Sequence, residues 1–218
     1  MTNKYAIKPL VAALSFNSII KIFSFWKISF ILGPYLAFFS LAPILMPLAG
    51  AFAGISGSAL TCTLHFLIYC IVTKSFSYHI LAYCVPGFFA SLWWSNKSTW
   101  LRVLPALCCM LLFVMHPVGS SAALYSLFWL IPIFISVLNY KHIFATALAS
   151  TFTAHAVGSV IWLYTVPMSA DQWLMLMPVV VIERLVFTLG MISAYAIINR
   201  ILAWNGSKQT QAVCVISG

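Results

Sequence analysis

Acidic residues are nearly absent from this chain. Of its 218 residues, two are Asp or Glu and 11 are Lys or Arg, and charged residues make up 6% of the total. Soluble domains carry about 25% charged residues. The chain therefore lacks the charged surface of a soluble enzyme, a cytosolic binding module or a disordered tail. It also lacks a GxxxxGK[ST] segment, which excludes ATP binding by that route.

Metal-binding and redox motifs are missing as well. The five histidines show neither HxxxH nor HExxH spacing. Five of the six cysteines lie in apolar runs, where a free thiol behaves as a small buried hydrophobe. The sequence therefore assigns no metal ligand, no cofactor and no catalytic residue. It leaves enzymatic activity open and favours a non-enzymatic role.

Long apolar runs fill most of the chain, in which 63% of the residues are hydrophobic. A membrane-spanning helix needs about 20 mainly apolar residues, and these runs lack the period-two alternation of a transmembrane barrel. We predict an all-α, polytopic transmembrane helix bundle of six to eight spans joined by short loops. The clearest predicted spans cover residues 48–73, 76–94, 101–116, 121–138, 142–166 and 173–199.

The N-terminal part is harder to divide into spans. Residues 1–27 fit either a first span or an interfacial helix, because Asn17 and Lys21 interrupt their apolar stretch. Residues 28–46 are apolar but contain Gly33-Pro34 and Pro43, which predicts a kinked or broken helix. We assign residues 1–199 to a single transmembrane domain and residues 200–218 to a polar tail.

The basic residues indicate orientation rather than nucleic-acid binding. Lys97, Lys141 and Arg200 lie in or beside one set of loops, whereas the alternating turns at 117–120 and 167–172 carry no basic residue. Because Lys and Arg concentrate on the cytoplasmic side, we place the C-terminus and its tail in the cytoplasm. The expected location is a bacterial or archaeal inner membrane, with membrane lipid as a partner and no nucleic acid.

The last predicted helix has a marked beginning. Ser169 and Gln172 have the three-residue spacing of a capping box, in which each side chain bonds to the backbone of the other residue. Asp171 lies in the first turn, where a negative charge is favoured by the helix dipole. One of the two acids therefore has a structural explanation.

The other acid, Glu183, lies beside Arg184 in the interior of the last predicted span. Ionisable residues at that depth normally face the bundle interior or a cavity and have a partner there. Folding the last two spans as a hairpin brings His155 to the same depth. We therefore predict a His155–Glu183 hydrogen bond, or a triad that includes Arg184.

Two interpretations of this group stay open. It is either a structural clamp between two helices or a substrate-binding site lined by His155, Glu183 and Arg184. In the second case the Arg184 guanidinium offers a fixed positive charge to an anionic group of the ligand. Trp162 and Trp173 would then cover the site from outside.

Small residues recur every four positions in the first clear span, at Gly50, Gly54 and Ser58. This spacing lets membrane helices approach each other closely. It predicts a helix-packing face, with the docking of a partner protein as the alternative.

The overall plan is similar to that of the substrate-binding S-components of energy-coupling-factor (ECF) vitamin transporters. The similar features are the total length, the Ala12-Ala13 pair, the face of Gly50, Gly54 and Ser58, and a last helix with buried polar residues. The resemblance implies an integral membrane transport component without an ATP site, which docks on a transmembrane coupling subunit and its ATPase. It also implies that a small polar solute or vitamin-like molecule binds between the last two helices.

Two short segments resemble motifs of rhomboid intramembrane serine proteases. Residues 54–57 spell GxSG, and residues 154–158 spell the start of AHxxGxxxG, with Trp162 in place of the final glycine. The resemblance implies a serine-based intramembrane enzyme that uses Ser56. The alternatives to transport are thus an intramembrane enzyme, rhomboid-like or lipid-acting, and a non-catalytic membrane assembly subunit.

Overall fold

Helices form most of the chain in a computed structural model, which describes the backbone of residues 7–23, 27–32, 35–40, 42–74, 78–95 and 98–216. The α-helices are α1 (Pro9–Phe23), α2 (Ala42–Leu45), α3 (Ala49–Thr73), α4 (Tyr78–Ser95), α5 (Thr99–Met115), α6 (Pro117–Ser121), α7 (Leu130–Val137), α8 (Ile143–Thr165), α9 (Ala170–Met175) and α10 (Met177–Ile216). Short 3-10 helices, Met46–Leu48 and Ala123–Trp129, lead into α3 and α7.

Three helical segments within the described residues are long and apolar enough to cross a membrane. They are Met46–Thr73, Ile143–Thr165 and Met177–Trp204. Pro9–Phe23, Thr99–Met115 and Ala123–Val137 are shorter apolar helices. The predominantly helical class is therefore confirmed, and the three long segments fit the membrane protein that the composition predicts.

The predicted broken helix over residues 28–46 is wrong in part. Strands β1 (Lys27–Leu32) and β2 (Tyr35–Ser40) pair antiparallel, with Leu32 opposite Tyr35 and Lys27 opposite Ser40. Glycine and proline favour turns, and Gly33-Pro34 separates the two strands in the sequence. Aromatic and β-branched residues before and after Gly33-Pro34 favour extended backbone, and these two segments form strands instead of a helix.

The centre of the fold is α8, which packs against α4, α5, α7 and α10. Its sequence explains this position, because alanine, serine and threonine predominate among its buried residues and small side chains let neighbouring helices approach. The buried core forms two apolar clusters, one mainly from α1, α3 and the residues just before α3, and the other mainly from α5, the 3-10 helix Ala123–Trp129, α8 and α9. The second cluster surrounds the residues considered below.

Indole groups of α4 bond to hydroxyl groups of α8 along their interface. The Nε1 of Trp93 donates to Thr153 Oγ1 at 2.9 Å, and the Nε1 of Trp94 donates to Ser150 Oγ at 3.2 Å. Ser150 Oγ in turn donates to the backbone carbonyl of Ala90 at 2.9 Å. The hydroxyl groups of Thr153 and Ser150 therefore hold α8 against α4.

We expect Thr153→Val to destabilise the fold by about 1–3 kcal/mol, because the buried Trp93 Nε1 loses its acceptor while the side-chain volume barely changes. Thr165→Val is the matched control, since the exposed Thr165 hydroxyl bonds only to the carbonyl of Ile161 in its own helix. Thermal unfolding of the purified full-length chain measures both. Equal unfolding temperatures for the two variants would contradict this role for Thr153.

The small residues of α3 do not form one smooth helical face. Gly50 lies at the closest approach to α4, where an added Cβ would meet the Ser91 carbonyl oxygen at 2.4 Å. Ser58 is buried and donates to the Gly54 carbonyl at 3.1 Å. Gly54 itself has φ 69° and ψ −167°, so α3 is kinked there, in a conformation open essentially to glycine alone. Close packing thus involves Gly50, whereas Gly54 allows the kink.

The connection from α8 to α10 contains the predicted capping box. Ser169 Oγ accepts from the Gln172 amide at 3.3 Å, and Gln172 Oε1 accepts from the Ser169 amide at 2.8 Å. The cap is confirmed, but it starts the six-residue helix α9, and the long helix begins only at Met177. Pro178 suits a first helical turn because it needs no amide partner there. The backbone of α10 continues past the predicted end at Asn199 to Ile216.

Candidate functional site

The two ionisable residues of α10 pair with each other. Glu183 and Arg184 are 3% and 6% exposed, and Arg184 Nη2 donates to Glu183 Oε2. Arg184 Nη1 also donates to the backbone carbonyl of Thr151 in α8 at 3.3 Å. Its guanidinium lies 4.8 Å from the centre of the Phe187 ring. Arg184 therefore joins α10 to α8 while its charge is balanced by the adjacent carboxylate.

The hydrogen bond predicted between His155 and Glu183 is not formed. Arg184 lies opposite Thr151, one helical turn from His155, because α9 lengthens the connection between the two long helices. Among the described side chains, His155 Nε2 is shielded from solvent and has no hydrogen-bond partner. His155 nevertheless lies within electrostatic range of the Arg184 charge.

The Tyr125 ring contacts the His155 ring and two indole rings. The Tyr125 ring is 5.4 Å from the His155 ring, 5.0 Å from the Trp173 ring and 6.3 Å from the Trp129 ring. The Tyr125 hydroxyl is 3.5 Å from Ser159 Oγ and within electrostatic range of Arg184 and Glu183. We call this group the polar–aromatic cluster; its members are Tyr125, Trp129, His155, Trp173, Glu183 and Arg184.

Five members of the polar–aromatic cluster have hydrogen-bonding capacity that the fold does not use. In the part of the chain whose side chains are described, the shielded atoms without a partner include Trp129 Nε1, His155 Nε2, Trp173 Nε1, Glu183 Oε1 and Arg184 Nε. A buried polar atom left unpaired costs about 1–3 kcal/mol. Most buried polar groups in proteins are paired, so this concentration calls for an explanation.

The predicted site residues are only partly brought together. His155, Glu183, Arg184 and Trp173 belong to the polar–aromatic cluster, and Trp173 is buried at 2% exposure rather than covering the cluster from outside. Trp162 is 42% exposed, and none of the ring contacts described for this region joins it to the cluster. The binding role of these residues stays a prediction.

Sequence reasoning missed Tyr125 and Trp129. They lie four residues apart, a spacing that places two side chains on one face of a helix. This signal is weak, because aromatic residues at that spacing also fill ordinary cores. Thr151 contributes its backbone carbonyl rather than its side chain, which no side-chain pattern predicts.

A surface cleft of about 590 Å³ lies at the end of α8 nearest α9. His116, Tyr164 and Ser169 are among its polar lining residues. Leu163 also lines the cleft and packs in the same apolar core as Tyr125 and Trp173. The cleft and the polar–aromatic cluster therefore border on the same apolar core.

The serine and histidine of the rhomboid-like segments do not form a catalytic pair. Ser56 is exposed on α3, whereas the His155 Nε2 has no hydrogen-bond partner among the described residues. A serine nucleophile needs a base within hydrogen-bond reach. Groups of three or more His, Cys, Asp or Glu that could hold a metal ion are also absent from the described residues.

No protein family, curated protein or solved structure matches the chain. The fold and the cluster therefore define its class by themselves: a predominantly helical chain whose described residues include three helices suited to crossing a membrane and a buried polar–aromatic cluster.

Proposed function

We propose that this chain is an integral membrane transport component that binds a small polar solute at the polar–aromatic cluster. The observation that carries the proposal is the set of five buried polar atoms without partners among the described residues, three of them on rings that contact Tyr125. A solute that forms hydrogen bonds with these atoms would remove the cost of leaving them unpaired, which is about 1–3 kcal/mol for each atom. Ionisable residues inside membrane helices mark solute or ion pathways more often than ordinary core positions do.

A purely structural clamp explains part of the cluster. The Arg184–Thr151 bond joins α10 to α8, and the Glu183–Arg184 pair neutralises both charges. It does not account for the Nε1 atoms of Trp129 and Trp173 and the Nε2 of His155, which have no hydrogen-bond partner among the described residues. Apolar rings would pack there without a desolvation penalty, so the three nitrogens support solute binding over a clamp alone.

The surface cleft beside α9 supports a route into the site. Leu163 lines the cleft and packs in the same core as Trp173, so the cleft borders on the apolar core that surrounds the cluster. We propose that a solute enters here, from the side opposite the basic loops. The ring contact between His116 and Tyr164, with centroids 5.0 Å apart, lies at this entrance.

The membrane arrangement follows as part of the same proposal. The shorter apolar helices would complete a bundle of six to eight spans in a bacterial or archaeal cytoplasmic membrane, with the C-terminus inside. Because the chain has no P-loop sequence, the energy for uptake would come from an ion gradient or from a coupling subunit with an ATPase, as in the ECF systems. Gly50 faces α4 and is unavailable for docking such a partner.

We expect His155→Phe to leave the amount of folded protein unchanged, because the lost Nε2 makes no bond to the other described residues. We expect the same variant to lower solute retention about tenfold or more, because the solute loses a hydrogen-bond partner. Retention is measured by mass spectrometry of small molecules that stay on the full-length chain during purification in mild detergent. His142→Asn is the control, since His142 is exposed and its capping of α8 is kept by asparagine.

Two results would oppose this function. Equal retention by His155→Phe and the wild-type chain would remove His155 from the site. A wild-type chain that retains no small molecule but copurifies with other membrane subunits would favour the assembly-subunit alternative. Covalent labelling of Ser56 by a serine-directed reagent would favour the enzyme.

A further inference from the structure

The electrostatic balance of the polar–aromatic cluster restricts what it binds. Glu183 and Arg184 are ion-paired, so the cluster contributes no net charge from these two groups. Asp171, the other acid of the chain, is exposed in the first turn of α9. A solute with a net charge would thus enter a buried site without a free counter-charge, at a cost of several kcal/mol.

The unpartnered atoms are mostly donors. The indole nitrogens of Trp129 and Trp173 and the Nε of Arg184 donate and cannot accept. Glu183 Oε1 accepts, and His155 Nε2 takes either role according to its tautomer. Three fixed donors against one fixed acceptor match a solute that can accept more hydrogen bonds than it donates, as a molecule with carbonyl oxygens does because each oxygen has two lone pairs.

Flat rings surround Tyr125 in the cluster. Tyr125 has its ring within 6.3 Å of the rings of His155, Trp129 and Trp173. Aromatic walls with a few placed polar atoms are typical of sites for flat, unsaturated ligands.

We infer that the solute is a net-neutral, flat molecule whose carbonyl oxygens or ring nitrogens accept hydrogen bonds from Trp129, Trp173 and Arg184. This inference rests on the proposed function and names its substrate class. It replaces the expectation that Arg184 binds an anionic group, because Glu183 already satisfies that charge.

Uracil and orotate are suitable probes, because they share one ring with two carbonyls and orotate adds a carboxylate. We expect uracil to bind the purified full-length chain at least about tenfold more tightly than orotate, measured by equilibrium dialysis in detergent; a tenfold ratio corresponds to about 1.4 kcal/mol. Tighter binding of orotate would overturn the inference, since Arg184 would then bind the orotate carboxylate.

Glu183→Gln provides a second test. Its amide keeps an acceptor for Arg184 but leaves the guanidinium charge unbalanced, so we expect the uracil-to-orotate preference to shift toward orotate by about tenfold or more. An unchanged preference in the folded variant would overturn the inference. If this variant fails to fold, the wild-type comparison decides.

The charge of any retained solute separates this inference from the proposed function. A net-neutral solute on the wild-type chain supports both, whether or not uracil binds. A retained anion leaves the transport function standing and overturns the substrate class. If neither probe binds and no solute is retained, both are overturned.

Discussion

The Arg184→Met variant is expected to lose about 3–5 kcal/mol of unfolding free energy, because it leaves the buried Glu183 carboxylate without its counter-charge. The same change removes the bond from Arg184 to the Thr151 carbonyl, and with it a polar link between α10 and α8. Thermal unfolding of the full-length chain, together with the yield of monodisperse protein, measures the loss. An Arg184→Met chain as stable as the wild type would show that the pair contributes little to the fold.

The double variant Glu183→Gln/Arg184→Met is the matched control for this result. It removes both charges together, and replacing a whole buried ion pair by groups of similar size is close to neutral for stability. We expect the double variant to unfold within about 1 kcal/mol of the wild type, since no uncompensated charge remains. Failure of the second substitution to restore stability would mean that the loss in Arg184→Met comes from the missing bond to the Thr151 carbonyl or from packing against Phe187 rather than from charge.

The second large effect is expected at Gly50. An added Cβ would meet the Ser91 carbonyl oxygen of α4 at 2.4 Å, and backbone in a neighbouring helix cannot move aside as a flexible side chain can. Gly50→Ala should therefore separate α3 from α4 and cost about 1–3 kcal/mol in unfolding free energy. Chemical or thermal unfolding of the purified chain measures this cost.

Gly158→Ala is the control for Gly50→Ala, because both glycines lie in apolar helices. At Gly158 an added Cβ would meet only the Pro86 Cγ, at an ordinary contact distance of 3.7 Å. This variant is expected to be neutral or more stable by about 0.4–1 kcal/mol, since alanine favours helix more than glycine does. Destabilisation of equal size in the two variants would contradict the close approach of α3 and α4 at Gly50.

Features encoded by neighbouring residues could be predicted from the sequence. The capping box at Ser169 and Gln172 depends on a three-residue spacing, and the structure has both of its bonds. The burial of Glu183 and Arg184 follows from an ionisable pair inside an apolar run. The helical class follows from the length of the apolar runs, because only helices and closed barrels satisfy the backbone in a membrane.

Features set by contacts between distant residues could not be predicted in this way. The register between α8 and α10 depends on how the chain turns through α9, and this turn places Arg184 opposite Thr151 instead of beside His155. Tyr125 joins the cluster through ring contacts with residues 30 and 48 positions away in the chain, His155 and Trp173. The pairing of β1 with β2 lies in an apolar run that periodicity alone cannot assign to strand or helix.

The central claim is that the polar–aromatic cluster binds a solute and does more than hold two helices together. The most direct measurement compares small molecules retained by the wild-type chain and by Glu183→Gln/Arg184→Met, using mass spectrometry after purification in mild detergent. The account predicts a net-neutral molecule on the wild type and its loss from the double variant at equal folded yield. The same molecule on both chains, in equal amounts, would contradict the account.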